Sequence, residues 1–185
     1  MYLVDGLHKV VRGCQEGNPG AQRELYNMFK SKMFAICLRY AGNYDDAQDI
    51  LQEGFLKVFD KIHQFGFKGA FEGWIRKIMV NSALEKYRLH YQLVNMHDNI
   101  SEIDHQQAAD ITSDIEVNEL VRIIQELSPK YRVVFNLYAI EGYSHKEISE
   151  MLQITESTSK SNLSRARAIL QEKVNKYYFK SVQTS

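Results

Sequence analysis

Little in this sequence breaks a helix, and none of it resembles a membrane span. The 185 residues include only two prolines and ten glycines, and they show no dense alternation of β-branched residues. This composition favours an all-helical protein. The apolar runs are much shorter than a bilayer requires, and the N-terminal stretch MYLVDGLHKVVRG does not have the pattern of a signal peptide. We therefore expect a soluble cytoplasmic protein with no membrane insertion.

The sequence also lacks the residue patterns of an enzyme or a metal site. Cys14 and Cys37 form no CxxC pair, which favours two buried thiols in a reducing compartment over a metal or redox site. The six histidines include no HExxH motif, and His90, His97 and His105 stand 7 and 8 residues apart, unlike metal ligands. No nucleophile elbow or phosphate-binding loop is present. We therefore expect no enzymatic activity, no catalytic residue, no metal and no cofactor.

A formal net charge of +0 conceals an uneven distribution along the chain. Residues 1–88 carry 13 Lys and Arg against 10 Asp and Glu, a balance of +3. Residues 89–119 carry seven acids and no Lys or Arg, and residues 120–185 carry 10 Lys and Arg against six acids. Two mildly basic blocks therefore flank an acidic segment. This asymmetry suggests a nucleic-acid partner that contacts the blocks and not the segment between them.

Apolar residues at helical spacing predict three helices in the first half of the chain. The first begins after Asn18, an N-cap residue, with Pro19 at the first helical position. The second begins at Asn43 or Tyr44, and a short aromatic loop, HQFGFKGAF, separates it from a third helix at about 71–88. The predicted buried stripes are Leu25, Phe29, Met33, Ile36, Cys37 and Tyr40; Leu51, Phe55, Val58, Phe59 and Ile62; and Phe71, Trp74, Ile75, Ile78 and Ser82.

The second half predicts two helices followed by a helix-turn-helix unit. A capping box at 113–116 begins one helix. The next begins at Ser128-Pro129 and ends at about residue 141, before Gly142 as a left-handed cap. A second capping box at 144–147 then begins a short helix. A tight turn and a longer helix capped by Thr155 complete the unit.

The last helix has one apolar face and one face of short polar side chains. Ser159, Leu163, Ala166 and Leu170 share the buried face when successive residues are placed 100° apart. Short side chains allow a helix to enter a major groove, where an arginine can reach guanine. A merely solvated polar face is the alternative, but the capped helix and tight turn that precede this helix favour DNA binding. The opposite face carries Ser157, Thr158, Ser161, Ser164, Arg165 and Ala168, with Lys160 and Arg167 on the flanks.

Three segments resemble regions of the sigma-70 family of RNA polymerase specificity factors. Similarity to regions 2.1–2.2 lies in YDDAQDILQEGFLKVF (44–59). Similarity to regions 2.3 and 2.4 lies in FKGAFEGWIRKIMVNSALEKYR (67–88), and similarity to region 4 in LSPKYRVVFNLYAIEGYSHKEISEMLQITESTSKSNLSRARAIL (127–170). Two such domains and no others is the plan of the extracytoplasmic-function (ECF) group of the family.

The resemblance implies two small helical domains with different tasks. A region 2 domain at 1–89 would bind core polymerase and recognise and melt the −10 element. A region 4 helix-turn-helix domain at 113–185 would read the −35 element, and an acidic flexible linker at 90–112 would join them. Because the linker is acidic, it could mimic nucleic acid in the polymerase channel, although an ordinary solvated linker is equally compatible with its composition.

The resemblance also implies partners and a function. The chain would act as a sigma factor that directs promoter-specific initiation, with core RNA polymerase (its β′ clamp and β flap), promoter DNA and an anti-sigma factor as partners. The alternative is an autonomous helix-turn-helix regulator that binds DNA as a dimer. That alternative would need a dimerisation helix or a sensory domain, and the first half of the sequence has the pattern of neither.

By the resemblance, the acidic start of the second helix would dock on the β′ clamp. Acids in a first turn also compensate the helix dipole, which explains Asp45 and Asp46 better than the acids further along. The two interpretations are compatible. The residues predicted to bind core polymerase are Asp45, Asp46, Asp49, Gln52 and Glu53.

The aromatic loop and the third helix would contact the −10 element. Aromatic side chains among basic ones are typical of single-strand stacking platforms, and holding a base outside the duplex costs a few kcal/mol that stacking can offset. Phe71 and Trp74 share a face with apolar residues and are better explained as core. The predicted −10 residues are Phe67 and Lys68, for gripping a flipped base, and Arg76, Lys77 and Asn81 on the exposed side of the helix.

The predicted −35 residues are Ser157, Thr158, Lys160, Ser161, Ser164, Arg165 and Arg167. Three positions depart from the family pattern. Gln153 stands where a helix-turn-helix turn often has glycine, which predicts a strained left-handed residue. Glu85 stands where many relatives have Asp, and Ser159 replaces the usual apolar residue on the buried face, with no explanation in the sequence.

Overall fold

The computed structural model describes residues 2–96 and 115–183, and all regular structure within these two ranges is helical. The elements are α1 (Tyr2–Gln15), α2 (Pro19–Tyr40), α3 (Tyr44–Lys61), a 3₁₀ turn (Ile62–Gln64), α4 (Phe71–Met96), α5 (Ile115–Gln125), α6 (Pro129–Phe135), a π-helical turn (Asn136–Ile140), α7 (His145–Leu152) and α8 (Glu156–Gln183). The predicted all-α fold class is confirmed.

The two prolines begin helices as predicted, but only one of the two residues before them caps through its side chain. Asn18 Oδ1 accepts from the backbone N–H of Gly20 at 2.8 Å and from that of Ala21 at 3.1 Å. Ser128 occupies the N-cap position of α6, but its hydroxyl makes no capping bond. It is buried with no hydrogen-bond partner in the described part of the chain. The rigid φ of Pro129 therefore begins α6 without help from the serine hydroxyl.

The third predicted helix is longer in the structure than in the prediction. It continues to Met96 as α4, beyond its predicted end at Arg88. The first residues of the predicted linker are therefore helical. The remainder of the predicted linker and Ser113 of the predicted capping box lie outside the described residues.

The chain divides into two compact units: residues 1–37 with 45–86, and residues 38–44 with 87–185. In the first unit the predicted stripes of α2, α3 and α4 are mostly buried. Ile78 is only half-buried, because Met79 takes the position that faces the core. The buried apolar residues of this unit are Val10, Val11, Cys14, Leu25, Phe29, Met33, Ile36, Cys37, Ala47, Ile50, Leu51, Phe55, Val58, Ile62, Phe65, Phe71, Ile75, Met79, Val80, Ala83 and Leu84.

Aromatic rings join α2, the loop after α3 and the start of α4. The ring centroid of Phe71 lies 5.5 Å from that of Phe29, 5.0 Å from that of Phe65 and 5.5 Å from that of Trp74. Such edge and tilted contacts add to the burial of each ring. The prediction that Phe71 and Trp74 belong to the core is confirmed for Phe71, which is buried, while Trp74 is half-buried.

Helix α1 (Tyr2–Gln15) was not predicted from the sequence. Its buried residues Val10, Val11 and Cys14 follow a helical period, and this stripe was the available signal. The helix packs against the 3₁₀ turn after α3. Gly13 allows a close approach to α2, because a Cβ at this position would overlap the Cβ of Ala21.

In the second unit α8 packs against α5, α6 and α7. The left-handed conformation predicted for Gly142 is confirmed, with a φ of +79°. The predicted helix before it is continuous but changes from α to π geometry at Asn136. The core of this unit contains Ile123, Ile124, Leu127, Val133, Val134, Leu137, Ile148, Leu152, Leu163 and Ala166.

Three buried polar side chains of the second unit bind segment 38–44, which belongs to the same unit. These bonds run from Gln125 Nε2 to the carbonyl of Leu38 (3.0 Å), from Asn136 Nδ2 to that of Arg39 (2.7 Å), and from Arg132 to that of Ala41. Carbonyls at the end of a helix lack intrahelical donors. The amide and guanidinium groups therefore satisfy backbone acceptors that burial would otherwise leave unpaired.

Gly54 of α3 lies directly against Met79 of α4. A Cβ at Gly54 would overlap Sδ of Met79 and lie 3.0 Å from its Cε. Met79 is fully buried, so its side chain has little room to move away. Gly73, near the start of α4, is the opposite case, because a Cβ there would meet nothing within 4 Å.

We predict opposite effects of alanine at these two glycines. Gly54→Ala gains about 1 kcal/mol in helix propensity but loses about 1–3 kcal/mol to overpacking, so we expect a net loss of stability of about 1 kcal/mol. Gly73→Ala should stabilise the protein by up to about 1 kcal/mol. Trp74, the single tryptophan, reports unfolding of the first unit by fluorescence in guanidinium. If both variants raise the guanidinium concentration at the midpoint of unfolding, the contact with Met79 does not disfavour a larger side chain at residue 54.

Candidate nucleic-acid and protein-docking surfaces

The acidic start of α3 is partly neutralised within its own unit. Lys86 Nζ lies 2.8 Å from Asp46 Oδ1 and 3.0 Å from Asp49 Oδ2. Partial burial lowers the pKa of Lys86, but its hydrogen bonds and charge interactions with the two aspartates outweigh burial, and the pKa is raised. Asp46 and Asp49 therefore connect α3 to α4. Such partly exposed pairs contribute about 0–1 kcal/mol each.

The other predicted docking residues on α3 face solvent beside a shallow apolar groove. Asp45, Gln52 and Glu53 are exposed. Leu56, one turn after Gln52, is 64% exposed and was not among the predicted docking residues. Leu56 lies outside the buried stripe of α3. A large apolar residue on the polar face of an amphipathic helix could have indicated this surface. The groove is lined by Tyr26, Gln48, Leu51, Gln52, Phe55, Leu56 and Phe59.

The loop between α3 and α4 is strained at Phe67. This residue has a φ of 57°, a left-handed conformation that costs a non-glycine residue about 1–2 kcal/mol. Its half-buried ring contacts the rings of Phe65 at 5.3 Å and of His8 at 5.1 Å, and the guanidinium of Arg12 lies 5.5 Å from its centroid. Lys68 is exposed. The two predicted loop residues therefore differ. The Phe67 ring is held by its neighbours, whereas the Lys68 ammonium faces water.

The exposed side of α4 carries the remaining predicted −10 residues. Lys77 and Asn81 are exposed one turn apart, and Arg76 is half-buried beside them. Glu85, further along the helix, forms an ion pair of 2.5 Å with Lys57 of α3. The carboxylate that departs from the family pattern therefore has a partner on the neighbouring helix.

The short helix of the helix-turn-helix unit is capped at its start as predicted. Ser144 Oγ accepts from the backbone N–H of Glu147 at 3.3 Å, and Glu147 Oε2 accepts from the backbone N–H of Ser144 at 2.8 Å. Hydrogen bonds from the side chain and the backbone of Ser144 lower the pKa of the Glu147 carboxyl. The capping box is confirmed.

The turn and the second cap also have the predicted geometry. Gln153 has φ 56° and ψ 43°, and its N–H donates to the carbonyl of Ser149. The predicted left-handed residue is therefore present without glycine. Thr155 Oγ1 accepts from the N–H of Thr158 at 3.0 Å, which confirms the cap of α8.

On α8 the polar face is exposed and the opposite face is buried. Ser159, Leu163 and Ala166 are buried as predicted, and Leu170 is half-buried. Lys160 forms an i,i+4 pair with Glu156 at 3.7 Å. All seven predicted −35 residues, Ser157, Thr158, Lys160, Ser161, Ser164, Arg165 and Arg167, are exposed.

Ser159, which the sequence left unexplained, joins the two helices of the motif. Its Oγ lies 2.9 Å from Nδ1 of His145, the first residue of α7. The imidazole stacks on the ring of Tyr138 at 4.5 Å and 23°. On the same ring lies the guanidinium of Arg167, 5.6 Å from the centroid. Arg167 is therefore partly committed to a cation–π contact inside its own unit.

The described residues contain no cluster of three or more His, Cys, Asp or Glu that could hold a metal. Both cysteines are buried. Burial, with the charge of Glu24 as the smaller cause, raises the pKa of the Cys14 thiol to about 11, so this thiol stays protonated at neutral pH. Within the described ranges, no helix has the length and apolarity needed to cross a bilayer.

Comparison with known proteins gives matches to both units. The family model "Sigma-70 region 2" matches residues 25–91, and "Sigma-70, region 4" matches residues 118–170. The ECF RNA polymerase sigma factor SigW of Bacillus subtilis is 27% identical over 181 residues, which cover 91% of this chain and 96% of the relative. The ECF RNA polymerase sigma factor SigM of Mycobacterium tuberculosis is 30% identical over 155 residues, which cover 83% of this chain and 77% of the relative.

A solved structure has the same fold. It is the sigma factor RpoE in complex with the anti-sigma factor NepR from Bartonella quintana. The match has a TM-score of 0.54 at 20% identity and covers 83% of this chain and 96% of that chain.

We predict that the Ser159–His145 bond stabilises the helix-turn-helix unit. Ser159→Ala removes the bond and leaves a part-buried imidazole nitrogen unpaired, whereas Ser164→Ala changes an exposed residue in the interior of the same helix. Both variants gain the same helix propensity, so their difference isolates the bond, and we expect it to be about 1–2 kcal/mol. Denaturation followed by circular dichroism measures both. Equal stabilities would show that the bond contributes nothing.

Proposed function

The chain belongs to the sigma-70 family of RNA polymerase sigma factors, in its ECF group, and we propose that its two units read the two elements of a promoter. The second unit reads −35 DNA through α8, and the first docks on core polymerase and opens the −10 element. The observation that carries the proposal is the division of α8 into a buried face and an exposed face of serine, threonine, lysine and arginine.

In the −35 contact, α8 enters the major groove with its short hydroxyl side chains towards the bases. Two hydroxyls are already oriented by the helix itself, since Ser161 Oγ donates to the carbonyl of Thr158 at 3.0 Å and Thr158 Oγ1 lies 2.8 Å from Thr155 Oγ1. Arg165 is exposed on this face and long enough for a bidentate contact with guanine. Lys160 and Arg167, on the flanks, contact phosphates.

For the −10 element, Phe67 and Lys68 grip a base displaced from the duplex, and Lys77 and Asn81 contact the adjoining strand. The strained backbone at Phe67 supports this assignment, because such strain in a loop is typical of ligand-contacting residues. Arg76 is the least accessible of the predicted −10 residues of α4, since it is half-buried, and we assign it a supporting position.

For core polymerase, the docking surface is Asp45, Gln52 and Glu53 with the groove at Leu56. A mixed apolar and acidic surface suits a basic protein partner, because apolar contacts contribute affinity and charges orient the approach. Asp46 and Asp49 contribute charge while they remain paired with Lys86. We further propose that an anti-sigma factor binds this chain, because the RpoE structure that shares its fold is a complex with the anti-sigma factor NepR.

The chain itself performs no covalent chemistry in this proposal, because its family consists of sigma factors and the polymerase core supplies catalysis. It acts in the cytoplasm, where polymerase and promoter DNA meet. Reconstitution with core polymerase and a DNA library randomised at both elements tests the function. Transcripts that share a two-element motif and need the added chain support it. Tight DNA binding as a dimer, with no initiation in the presence of core, would instead indicate an autonomous regulator.

We predict that the two cations of α8 differ in what they read. Arg165→Ala in the holoenzyme should cost about 1–3 kcal/mol of −35 binding and relax the preference at one base pair. Lys160→Ala should weaken binding equally for all sequences and reduce the salt slope by about 1. Binding titrations with single-base variants of the −35 element, at several salt concentrations, measure both effects. Identical effects of the two changes would contradict the assignment of Arg165 to a base.

We predict that α3 supplies the polymerase contact. Glu53→Lys and Leu56→Glu should each weaken core binding about tenfold or more, a loss of about 1.4 kcal/mol. Glu16→Lys, the same charge change at an exposed residue outside α3, is the control and should leave the affinity unchanged. Fluorescence titration with core polymerase in the absence of DNA measures the three. Full affinity of both α3 variants would place the docking surface elsewhere.

A further inference from the structure

We propose that α1 is part of the single-strand DNA surface, with Arg12 as a phosphate-binding residue and Gln15 as a positioning residue for the −10 loop. This helix precedes both matched family regions, 25–91 and 118–170. The proposal rests on the function proposed above and adds to it a third element of the first unit. The juxtaposition that carries it is the contact of one face of α1 with the strained loop.

Three side chains of α1 contact the loop or the 3₁₀ turn that leads to it. His8, Arg12 and Gln15 fall within about 60° of one another around the helix axis. The first two contact the ring of Phe67. The face they form adjoins the buried stripe of α1 without being part of it, because His8 and Arg12 remain exposed and Gln15 is half-buried.

Gln15 fixes the backbone of the turn from a distance in sequence. Its Nε2 donates to the carbonyl of Ile62 at 2.9 Å and to that of Phe65 at 3.0 Å, 47 and 50 residues away. The N–H of Phe65 also donates to the carbonyl of Ile62 at 3.1 Å. One side-chain amide therefore binds the carbonyls at both ends of the turn, and the second of these residues lies two positions before Phe67. A side chain that satisfies two backbone acceptors restricts the path of the loop.

The contacts with α1 stabilise the conformation of Phe67, because the backbone of this residue is strained. A left-handed phenylalanine persists only where its surroundings determine the conformation. Phe65 supports the ring from within the unit, and His8 and Arg12 contact it from α1. We infer that α1 holds the ring in the orientation that it offers to a base.

The positive charges beside the Phe67 ring indicate which class of ligand would bind there. The guanidinium of Arg12 lies beside an aromatic ring, is exposed, and has no carboxylate within 4 Å among the described residues. The exposed Lys68 follows Phe67 in the loop. Cations around an aromatic ring match a single-stranded nucleotide, whose base stacks while its phosphate pairs with the guanidinium. The duplex of the −35 element offers no unstacked base for such a site.

The test uses the holoenzyme and a fork-junction DNA that carries 2-aminopurine at the displaced −10 base. Arg12→Ala should weaken fork binding about tenfold and reduce the salt slope by about one. Gln15→Ala should weaken binding and alter the 2-aminopurine fluorescence without changing the salt slope, because it moves the ring and removes no charge. Arg23→Ala, an exposed arginine of α2 with no ring contact to the loop, is the matched control and should behave as wild type.

Three outcomes are distinguishable. Loss of fork binding in both variants, with core affinity and −35 duplex binding unchanged, supports the proposal. Wild-type fork binding by both variants overturns it and leaves the sigma function intact. Absence of fork binding by the wild-type holoenzyme overturns the proposed function and this inference with it. If Gln15→Ala destabilises the unit, the fork binding of Arg12→Ala and Arg12→Glu, both at an exposed position, tests the proposal without it.

Discussion

The contact between Gly54 of α3 and Met79 of α4 joins the two helices that carry the exposed polar residues of the first unit. A glycine against the fully buried Met79 brings the two helices together, and the ion pairs Lys57–Glu85 and Lys86–Asp46 form further along the same contact. The polar face of α3 and the exposed side of α4 are therefore linked by one apolar contact and by ion pairs. The buried apolar contact contributes more to this link than the partly exposed ion pairs, which contribute little.

In the second unit, the hydrogen bond between Ser159 and His145 joins the two helices of the helix-turn-helix motif. Ser159 is fully buried and bonds to His145, so the usual apolar contact between the two helices of the motif is replaced by a polar one. A polar pair in a buried position is directional, and it favours one angle and one register of the helices over others. The contact continues through Tyr138 to Arg167. These contacts therefore link α8 to α7 and to the π-helical turn.

Much of this fold could be predicted from local signals. Helix starts at Asn18 and Thr155, the left-handed Gly142 and the buried stripes all depend on residues within one or two turns of each other. The rest depends on contacts that are distant in sequence. The bonds of Gln15 span 47 and 50 residues, and the partner of Ser159 is visible only once α7 and α8 are packed. The π-helical turn at 136–140 likewise has no local signature in the sequence.

Two non-glycine residues in the described ranges have a positive φ, and each precedes a helix that we propose to contact DNA. Phe67 stands before α4 and Gln153 before α8. A strained residue at such a junction costs about 1–2 kcal/mol, and that cost persists only where other contacts offset it. Phe67 has three neighbours around its ring, and Gln153 donates to the end of α7. These contacts therefore hold the turns before α4 and α8 in one conformation, and under the proposed function this preorganisation would lower the ordering cost of DNA binding.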